Sequence, residues 1–368
     1  MKISSIALCL CLSVLVLWRL PVHTAHARGP MRILAVESGP YIEYYYMLYG
    51  IAVRLQEEGY FRTIPPYEPN KTGTAALWKW MCEHSDSRLV FLSNGFFSGE
   101  WNNEKLKEIQ QNIVNRLTKK KDIDIILAFG TSAGQTMAKI KTDVPVVVAS
   151  TTNAIEAGII PSEDDSGKNN LIALVDPLRY KRQIEYFHTI LPFRTLGIVY
   201  EDTQKGKSIV SLKEIEAAAE TLSVEIVPCV ADQLYDLEPF IIADRLEACH
   251  RTLAEKKVDA VYLTSLSTVN PEQIPRVLSP LLDAHIPHFS QTGDDEVKHG
   301  VLLGFVGSSF AEGRYAADVL LRISEGVLPR ALSQRFHNPL QLGINLGTAA
   351  SIGWNPSLST LLDVSEFY

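Results

Sequence analysis

Short polar clusters stand where the apolar runs of this chain stop, and their residue types suit capture of a small molecule. Gly130-Thr131-Ser132-Ala133-Gly134 follows the apolar run 123–129 and opens a helix. Free backbone N–H groups and the helix dipole at such a turn favour an anion, and Thr131 and Ser132 add hydroxyl donors. The same residues would also serve as a plain helix cap with a tight turn. Ser150-Thr151-Thr152-Asn153 follows the next apolar run, and four short polar side chains in a row suit hydrogen bonding to a polar ligand or ordinary loop capping. Ser38-Gly39-Pro40-Tyr41 follows the first run. Tyr41 is the ring best placed there to stack on a flat or apolar group, whereas Tyr44 falls on a core stripe. Tyr200-Glu201-Asp202, Thr264-Ser265 and Gln291-Thr292-Gly293-Asp294-Asp295 end later runs in the same way. A carboxylate of Glu201, Asp202, Asp294 or Asp295 could pair with a ligand ammonium, although acids in loops are more often simply solvated.

Reaction chemistry finds less support. No G-K-[ST] follows the Gly130 turn, so it is not a phosphate-cradling P-loop. There is no G-x-S-x-G nucleophile elbow, and no His stands beside a nucleophile in a known motif. No metal-ligand spacing occurs, and no G-x-G-x-x-G follows a strand. The expectation is a binding protein that is not an enzyme and needs neither cofactor nor metal.

These clusters need sheets to present them. Strand-like and helix-like segments alternate along the chain, which argues for α/β lobes with parallel sheets. Arg32-Ile33-Leu34-Ala35-Val36 reads as a first strand, followed by a helix with Tyr44, Leu48, Ile51 and Leu55 on one face. Residues 60–87 break the pattern and read as an irregular excursion with one short helix. Strands at 89–92, 123–129 and 144–149 complete one series. A polar loop at 161–170 precedes a second series, with strands at 196–200, 224–227, 260–263 and 287–289. In open parallel sheets, ligands bind beyond the carboxyl ends of the strands, where the polar clusters fall.

The 368 residues suffice for two lobes. Residues 1–27 read as a secretory signal peptide: Lys2, an apolar run at 6–18 too short to span a membrane, then Ala25-His26-Ala27 as a cleavage site. Neither Cys9 nor Cys11 fits a lipobox. The net charge of −7, less the two positive charges of Lys2 and Arg19, gives −9 for the mature chain. Such an acidic surface disfavours nucleic acid, and no later stretch is long enough to span a membrane. Cys229 and Cys249 are the nearest pair in sequence, but the mature chain has an odd cysteine count, and buried free thiols fit as well as one bridge.

The blocks together resemble the ABC transporter substrate-binding proteins of the tryptophan/tyrosine type. Residues 124–133 (DIILAFGTSA), Val144-Pro145-Val146-Val147-Val148-Ala149 through Ala157-Gly158, and Leu191-Pro192 with Leu196-Gly197-Ile198-Val199-Tyr200 carry the likeness. So do Val258-Asp259-Ala260-Val261-Tyr262, Ile286-Pro287, the helix from Gly313 to Gly326, and Ile344-Asn345-Leu346-Gly347-Thr348-Ala349 to Pro356. The resemblance implies a type I periplasmic binding protein: two Rossmann-like lobes with parallel sheets, joined by crossover strands. The expected division is 28–151 plus about 291–325 for the first lobe, and 152–290 plus about 326–368 for the second. It implies a monomeric extracytoplasmic receptor closing on a small polar or amino-acid-like ligand, an aromatic one among the options, with an ABC permease and ATPase as partners. A sensor feeding a membrane kinase, or an exported α/β enzyme, are the alternatives. By analogy, the clusters at Ser38–Tyr41, Gly130–Ser132 and Ser150–Asn153, with Tyr200 and Thr264-Ser265, fall where relatives bind ligand. Asn153-Ala154 departs from the aspartate and proline that relatives often carry there.

Overall fold

The computed structural model describes residues 29–234 and 237–368, so the expected signal peptide lies outside the described residues. The chain begins with β1 (Met31–Glu37), α1 (Ile42–Glu57), α2 (Pro69–His84), β2 (Leu89–Ser98), α3 (Asn103–Asn115), β3 (Ile125–Phe129), α4 (Thr131–Met137), β4 (Val146–Ala149) and β5 (Leu171–Ala173). These strands form one parallel sheet in the order β2-β1-β3-β4-β5. The second series is α5 (Arg179–Ile190), β6 (Thr195–Glu201), α6 (Gln204–Ile209), α7 (Leu212–Leu222), β7 (Glu225–Ala231), α8 (Pro239–Glu255), β8 (Ala260–Leu263), α9 (Ile274–Asp283), β9 (His288–Ser290), α10 (Asp294–Lys298) and β10 (Leu303–Val306). Then α11 (Ser308–Ser324) returns to the first lobe, and β11 (Gln341–Ile344), α12 (Leu346–Ser351), α13 (Leu358–Asp363) and β12 (Val364–Phe367) finish the second. The second sheet runs β12-β11-β10-β9-β8-β6-β7, with β11 antiparallel to β10.

Each sheet is covered on both faces, as near-continuous apolar strands require. Ile33 and Ala35 of β1 pack on the α1 side with Leu48, Ile51 and Trp78, while Leu34 and Val36 pack on the α3 side with Leu106 and Ile113. The second lobe repeats this, with Ile198, Tyr262 and Phe289 on one face and Val199, Val261 and Leu263 on the other. All four apolar clusters stay within one lobe.

The lobe boundaries differ from the expected ones. β5 pairs with β4, so residues 152–173 remain in the first lobe. The three-residue strand Leu171–Ala173 was too short to outweigh the polar loop before it. The first crossing follows at Val175, which runs beside Arg335: its N–H donates to the Gln334 carbonyl (2.8 Å) and its carbonyl accepts from the Phe336 N–H (3.1 Å). β10 pairs with β9, so residues 291–306 stay in the second lobe. The chain crosses again at Gly307, with φ 73°. Helix α11 is bound to the first lobe by close approach to α1. A Cβ at Gly50 would lie 2.2 Å from the Phe310 carbonyl oxygen, and one at Gly313 2.0 Å from that of Met47, so both positions need glycine.

The expected irregular excursion is instead mostly helical. Gly73, with φ 62°, kinks α2, and only its second half carries an apolar stripe, Leu77, Trp78 and Met81, all buried. Trp78 Nε1 donates to the Leu92 carbonyl at 3.0 Å, tying the helix to β2. Cys229 of β7 and Cys249 of α8 form a disulfide, and Cys82 is free. Among the described residues, no helix is long and apolar enough to cross a membrane.

Candidate functional site

The carboxyl ends of both sheets face one crevice. In the first lobe the strand order reverses between β1 and β3, and Ser38 and Gly130 follow those two strands. The Ser38 hydroxyl donates to the Phe129 carbonyl (3.2 Å) and accepts from the Ala133 N–H (3.0 Å), stitching β1 to the start of α4. Gly130 has φ 89°, and a Cβ there would lie 1.8 Å from the Tyr44 hydroxyl. Ser38 and Gly130 therefore shape the turn, while Thr131 and Ser132 stand half-buried at its mouth. Tyr41 packs edge-on against Tyr44 with centroids 5.2 Å apart, and lies 6.3 Å from the ring of Trp101. Trp101, 52% exposed, completes an aromatic wall with these two rings. Sequence reading missed it because β2 extends to Ser98, well past the expected end at Leu92.

Residues 150–153 lie against the second lobe. Ser150, with φ 55°, donates its N–H to Glu312 Oε1 at 2.7 Å. The Thr151 Oγ1 is buried without a partner. The Thr152 carbonyl accepts from the Tyr180 hydroxyl at 3.4 Å. Asn153 Oδ1 caps its own turn through the N–H groups of Ile155 (3.1 Å) and Glu156 (3.0 Å), and its Nδ2 donates to Glu214 Oε1 across the crevice at 2.8 Å. Glu156 pairs with Lys213 at 2.8 Å in the same direction. A cavity of about 130 Å³ lies here, lined by Thr151, Asn153, Glu156, Asp176 and Glu214 among others. Burial, then Glu156 and Asp176, push the Glu214 carboxyl up to about 7. A larger depression of about 470 Å³ sits at the opposite, amino ends of β1 and β3, beside the Arg32–Asp124 pair. That is the wrong end of the strands for a crevice ligand.

In the second lobe several candidates serve their own lobe. Glu201 is buried and spends both oxygens locally, on the Thr203 hydroxyl (2.9 Å) and the Leu234 N–H (2.9 Å). Asp202 pairs with Lys207. The Thr264 hydroxyl donates to the Val199 carbonyl. Ser265 is buried, and Tyr200 is half-buried at the end of β6. Thr292 donates its N–H to Ser290 Oγ at 3.0 Å. Asp294 is different: its Oδ1 accepts the Gly307 N–H at 2.7 Å, while its Oδ2 is buried without a partner. Burial pushes this carboxyl up to about 7.

Three residues that sequence reading passed over complete the crevice floor. Glu43 of α1 is 3% exposed, and its Oε2 has no partner. An acid on the buried face of an apolar helix was the available signal. Glu312 of α11 receives the Ser150 N–H and is pushed up to about 7 by burial. Arg179 opens α5, and its Nε is buried without a partner. Burial opposes its charge, but Tyr180, Glu312, Tyr262 and Glu43 outweigh that and keep its pKa above the ordinary value. Beneath it, the Tyr262 hydroxyl donates to Gln183, whose Nε2 donates to the Gln291 carbonyl at 3.1 Å, so the floor rests on a buried polar network. Among the described residues no group of acids, histidines and cysteines is arranged to hold a metal ion.

Comparison with known proteins adds three observations. The family model for "ABC transporter substrate binding protein" matches residues 98–357. No curated protein matches the chain by sequence. Solved structures match by shape: an ABC domain in complex with L-Trp from Streptococcus pneumonia has a TM-score of 0.69 at 17% identity, covering 92% of this chain and 100% of that one. A conserved domain protein from Vibrio cholerae reaches 0.67 at 19%, covering 92% and 99%. The ligand-free, open form of a substrate binding protein with adhesive properties from Clostridium difficile reaches 0.60 at 15%, covering 91% and 98%. Identities this low speak for a shared fold, the type I periplasmic binding fold of two α/β sheets.

Proposed function

Because this chain belongs to the ABC transporter substrate-binding protein family, we propose that it is the extracytoplasmic solute receptor of an ABC importer, holding a small polar ligand between its lobes by hinge closure. The observation that carries this reading is the contrast between the lobe interiors and the surface between them. Each lobe has its own apolar clusters, and none spans both lobes. Among the described residues, the contacts that join the lobes besides the crossings are polar, as with Asn153–Glu214, Glu156–Lys213 and Thr152–Tyr180. A polar interface between domains separates at low cost. A void of about 130 Å³ is smaller than the roughly 300 Å³ at which small-molecule sites begin. Entry therefore requires the lobes to part, and the hinge is the three crossings near Val175, Gly307 and Phe336.

Closure around a solute removes it from water and creates a new surface for the permease to read. In this mechanism Arg179 offers its free N–H to an acceptor on the ligand, and Tyr41 and Trp101 offer ring faces. No bond of the ligand is made or broken. The ligand is thus expected to be small, polar and amino-acid-like, with an aromatic part suiting the wall. A signal peptide at residues 1–27 would deliver the chain to the compartment where such a receptor works.

A thermal-shift screen over amino acids, amines, polyols and aromatic acids tests this. A specific ligand at 100 times its Kd adds about 2.7 kcal/mol of stability by mass action. Small-angle scattering should show compaction with the same compound. Conversion of that compound at catalytic rates, followed by mass spectrometry, would overturn the receptor reading.

A further inference from the structure

Two carboxylates from opposite lobes meet at the first turn of α11. Asp294, at the start of α10 in the second lobe, accepts the Gly307 N–H at 2.7 Å. Glu43, on α1 in the first lobe, bonds the Ser309 hydroxyl and is raised in pKa by burial first and by Asp294 next. Each acid keeps one buried oxygen without a partner, Glu43 Oε2 and Asp294 Oδ2, and the Ser308 Oγ, 2% exposed on the turn linking them, has none either. Buried polar atoms are nearly always bonded, so three unbonded ones around one helix turn mark a place built for a further group.

The charge around that turn decides which group. Three buried acids, Glu43, Glu296 and Glu312, and the half-buried Asp294 stand around one half-buried base, Arg179, and among the described residues no ion pair joins Arg179 to any of them. Burial drives the Glu296 carboxyl up to about 8 and Asp294 to about 7, and neighbouring acids add to both shifts. A ligand hydroxyl would satisfy the free oxygens but leave the charge unbalanced, and a ligand anion would be repelled. Helix capping explains only the oxygens already bonded to Gly307 and Ser309, since a cap needs one oxygen of each acid.

We propose that Glu43 Oε2 and Asp294 Oδ2 form a cation subsite that takes a protonated nitrogen of the ligand, so that this nitrogen bridges the lobes. The inference rests on the receptor reading above and adds the ligand class: the solute carries a cationic N–H group, while Arg179 takes an acceptor on the same molecule. Because one acid belongs to each lobe, the nitrogen stabilises the approach of the lobes as well as its own binding.

The experiment is a calorimetric series on the full mature chain with Glu43→Gln, Asp294→Asn and the double variant. The probes are phenylalanine, phenethylamine, 3-phenylpropionate, putrescine, myo-inositol and the tightest compound from the screen. The tightest binder is expected to carry a protonated nitrogen, and its affinity should fall about 100-fold or more in the double variant. The melting temperature of the ligand-free double variant should hold or rise, because two uncompensated buried acids become neutral amides. A plain capping role would instead lower it and leave affinity untouched. Affinity unchanged within threefold in a folded double variant, or a tightest binder without a protonated nitrogen, overturns the subsite while leaving the receptor reading intact. Binding by no compound of any class removes the receptor reading, and the subsite with it.

Discussion

The rim and the floor of the crevice handle polar groups in opposite ways. At the rim, with the Thr151 Oγ1 as the exception, they are paired across the gap: Asn153 with Glu214, Glu156 with Lys213, and the Thr152 carbonyl with Tyr180. On the floor, Glu43 Oε2, Asp294 Oδ2, Ser308 Oγ and Arg179 Nε are buried and unpaired. An exposed ion pair such as Glu156–Lys213, with the lysine side chain 76% exposed, adds only about 0–1 kcal/mol. Each unsatisfied buried polar group costs about 1–3 kcal/mol. The rim therefore holds the lobes together weakly, and the floor opposes their meeting until its free atoms are bonded. That balance suits a receptor whose closure should wait for the solute.

The largest effect should come from breaking the floor. Arg179→Met removes the one base among the floor acids, and affinity for the natural solute should drop by about 2–5 kcal/mol, as for truncation of a buried charged partner. Isothermal calorimetry reads this directly. Wild-type affinity in the variant would move the binding determinants to the aromatic wall and leave the floor a structural oddity.

Breaking a region that belongs to neither rim nor floor gives the control. Cys229 and Cys249 tie β7 to α8 within the second lobe, closing 20 residues of chain. The Cys229→Ser/Cys249→Ser variant should lose about 2–4 kcal/mol of stability, seen as a lower melting temperature. Its affinity at a temperature where it is folded should match that of the parent. A parallel loss of affinity would mean that the lobe interior and the crevice are not separable.

Changing pH acts on rim and floor together. Glu214, Glu312 and Asp294 are pushed up to about 7 and Glu296 to about 8, chiefly by burial. Around Glu214 stand Glu156, Asp176, Lys213, Asn153 and Tyr180; around the floor acids stand Arg179, Asp295, Tyr46, Tyr262 and Glu366. An acid with a raised folded pKa binds a proton more tightly when folded. Its contribution is complete below the unfolded value of about 4.3 and is lost as pH climbs through 7 to 8. His250 works oppositely: burial lowers it to about 4, so its contribution is lost as pH falls below about 6.5. The ligand-free melting temperature should thus be highest near pH 4–5, where the four acids keep their protons and a single histidine opposes them, and should decline by several degrees toward pH 8. A cationic solute should flatten the decline by supplying the missing charge. A flat ligand-free profile over that range would show that the floor acids are solvated.

The two regions also differed in how far they could be read from sequence. The rim was legible because Ser150-Thr151-Thr152-Asn153 is a contiguous polar string after a buried strand, and such strings must sit at the strand tip. Its partners were not, since Lys213 and Glu214 look like ordinary surface charges of an amphipathic helix. The floor was nearly invisible. Glu43, Arg179 and Glu312 lie on three different helices, α1, α5 and α11, and only the return of α11 to the first lobe brings them together. Periodicity located that helix but could not say which sheet it would cover. Asp294 stood among the candidates because it lies a few residues after a strand, yet Glu201 stood there for the same reason, and nothing local distinguishes an acid that bonds its own loop from one with an unpaired oxygen. The short strands β5 and β10 displaced two of the three expected lobe boundaries for a related reason: three or four buried residues carry too little pattern to outweigh a polar loop nearby.

The smallest expected effect sharpens the account of the rim. Lys213→Ala removes the exposed pair with Glu156 and leaves Asn153–Glu214 in place. The variant should bind its solute about two- to fivefold more weakly, within the 0.2–1 kcal/mol range of exposed pairs. The change should sit in the dissociation rate, because the rim acts after the lobes have met. High salt should erase the difference between variant and parent, since an exposed pair is screened within about 10 Å at 0.1 M and within about 3 Å at 1 M. Stopped-flow dissociation at two salt concentrations measures both. A tenfold or larger effect, or one that survives 1 M salt, would mean that Lys213 touches the solute, and the division between a paired rim and a binding floor would have to be redrawn.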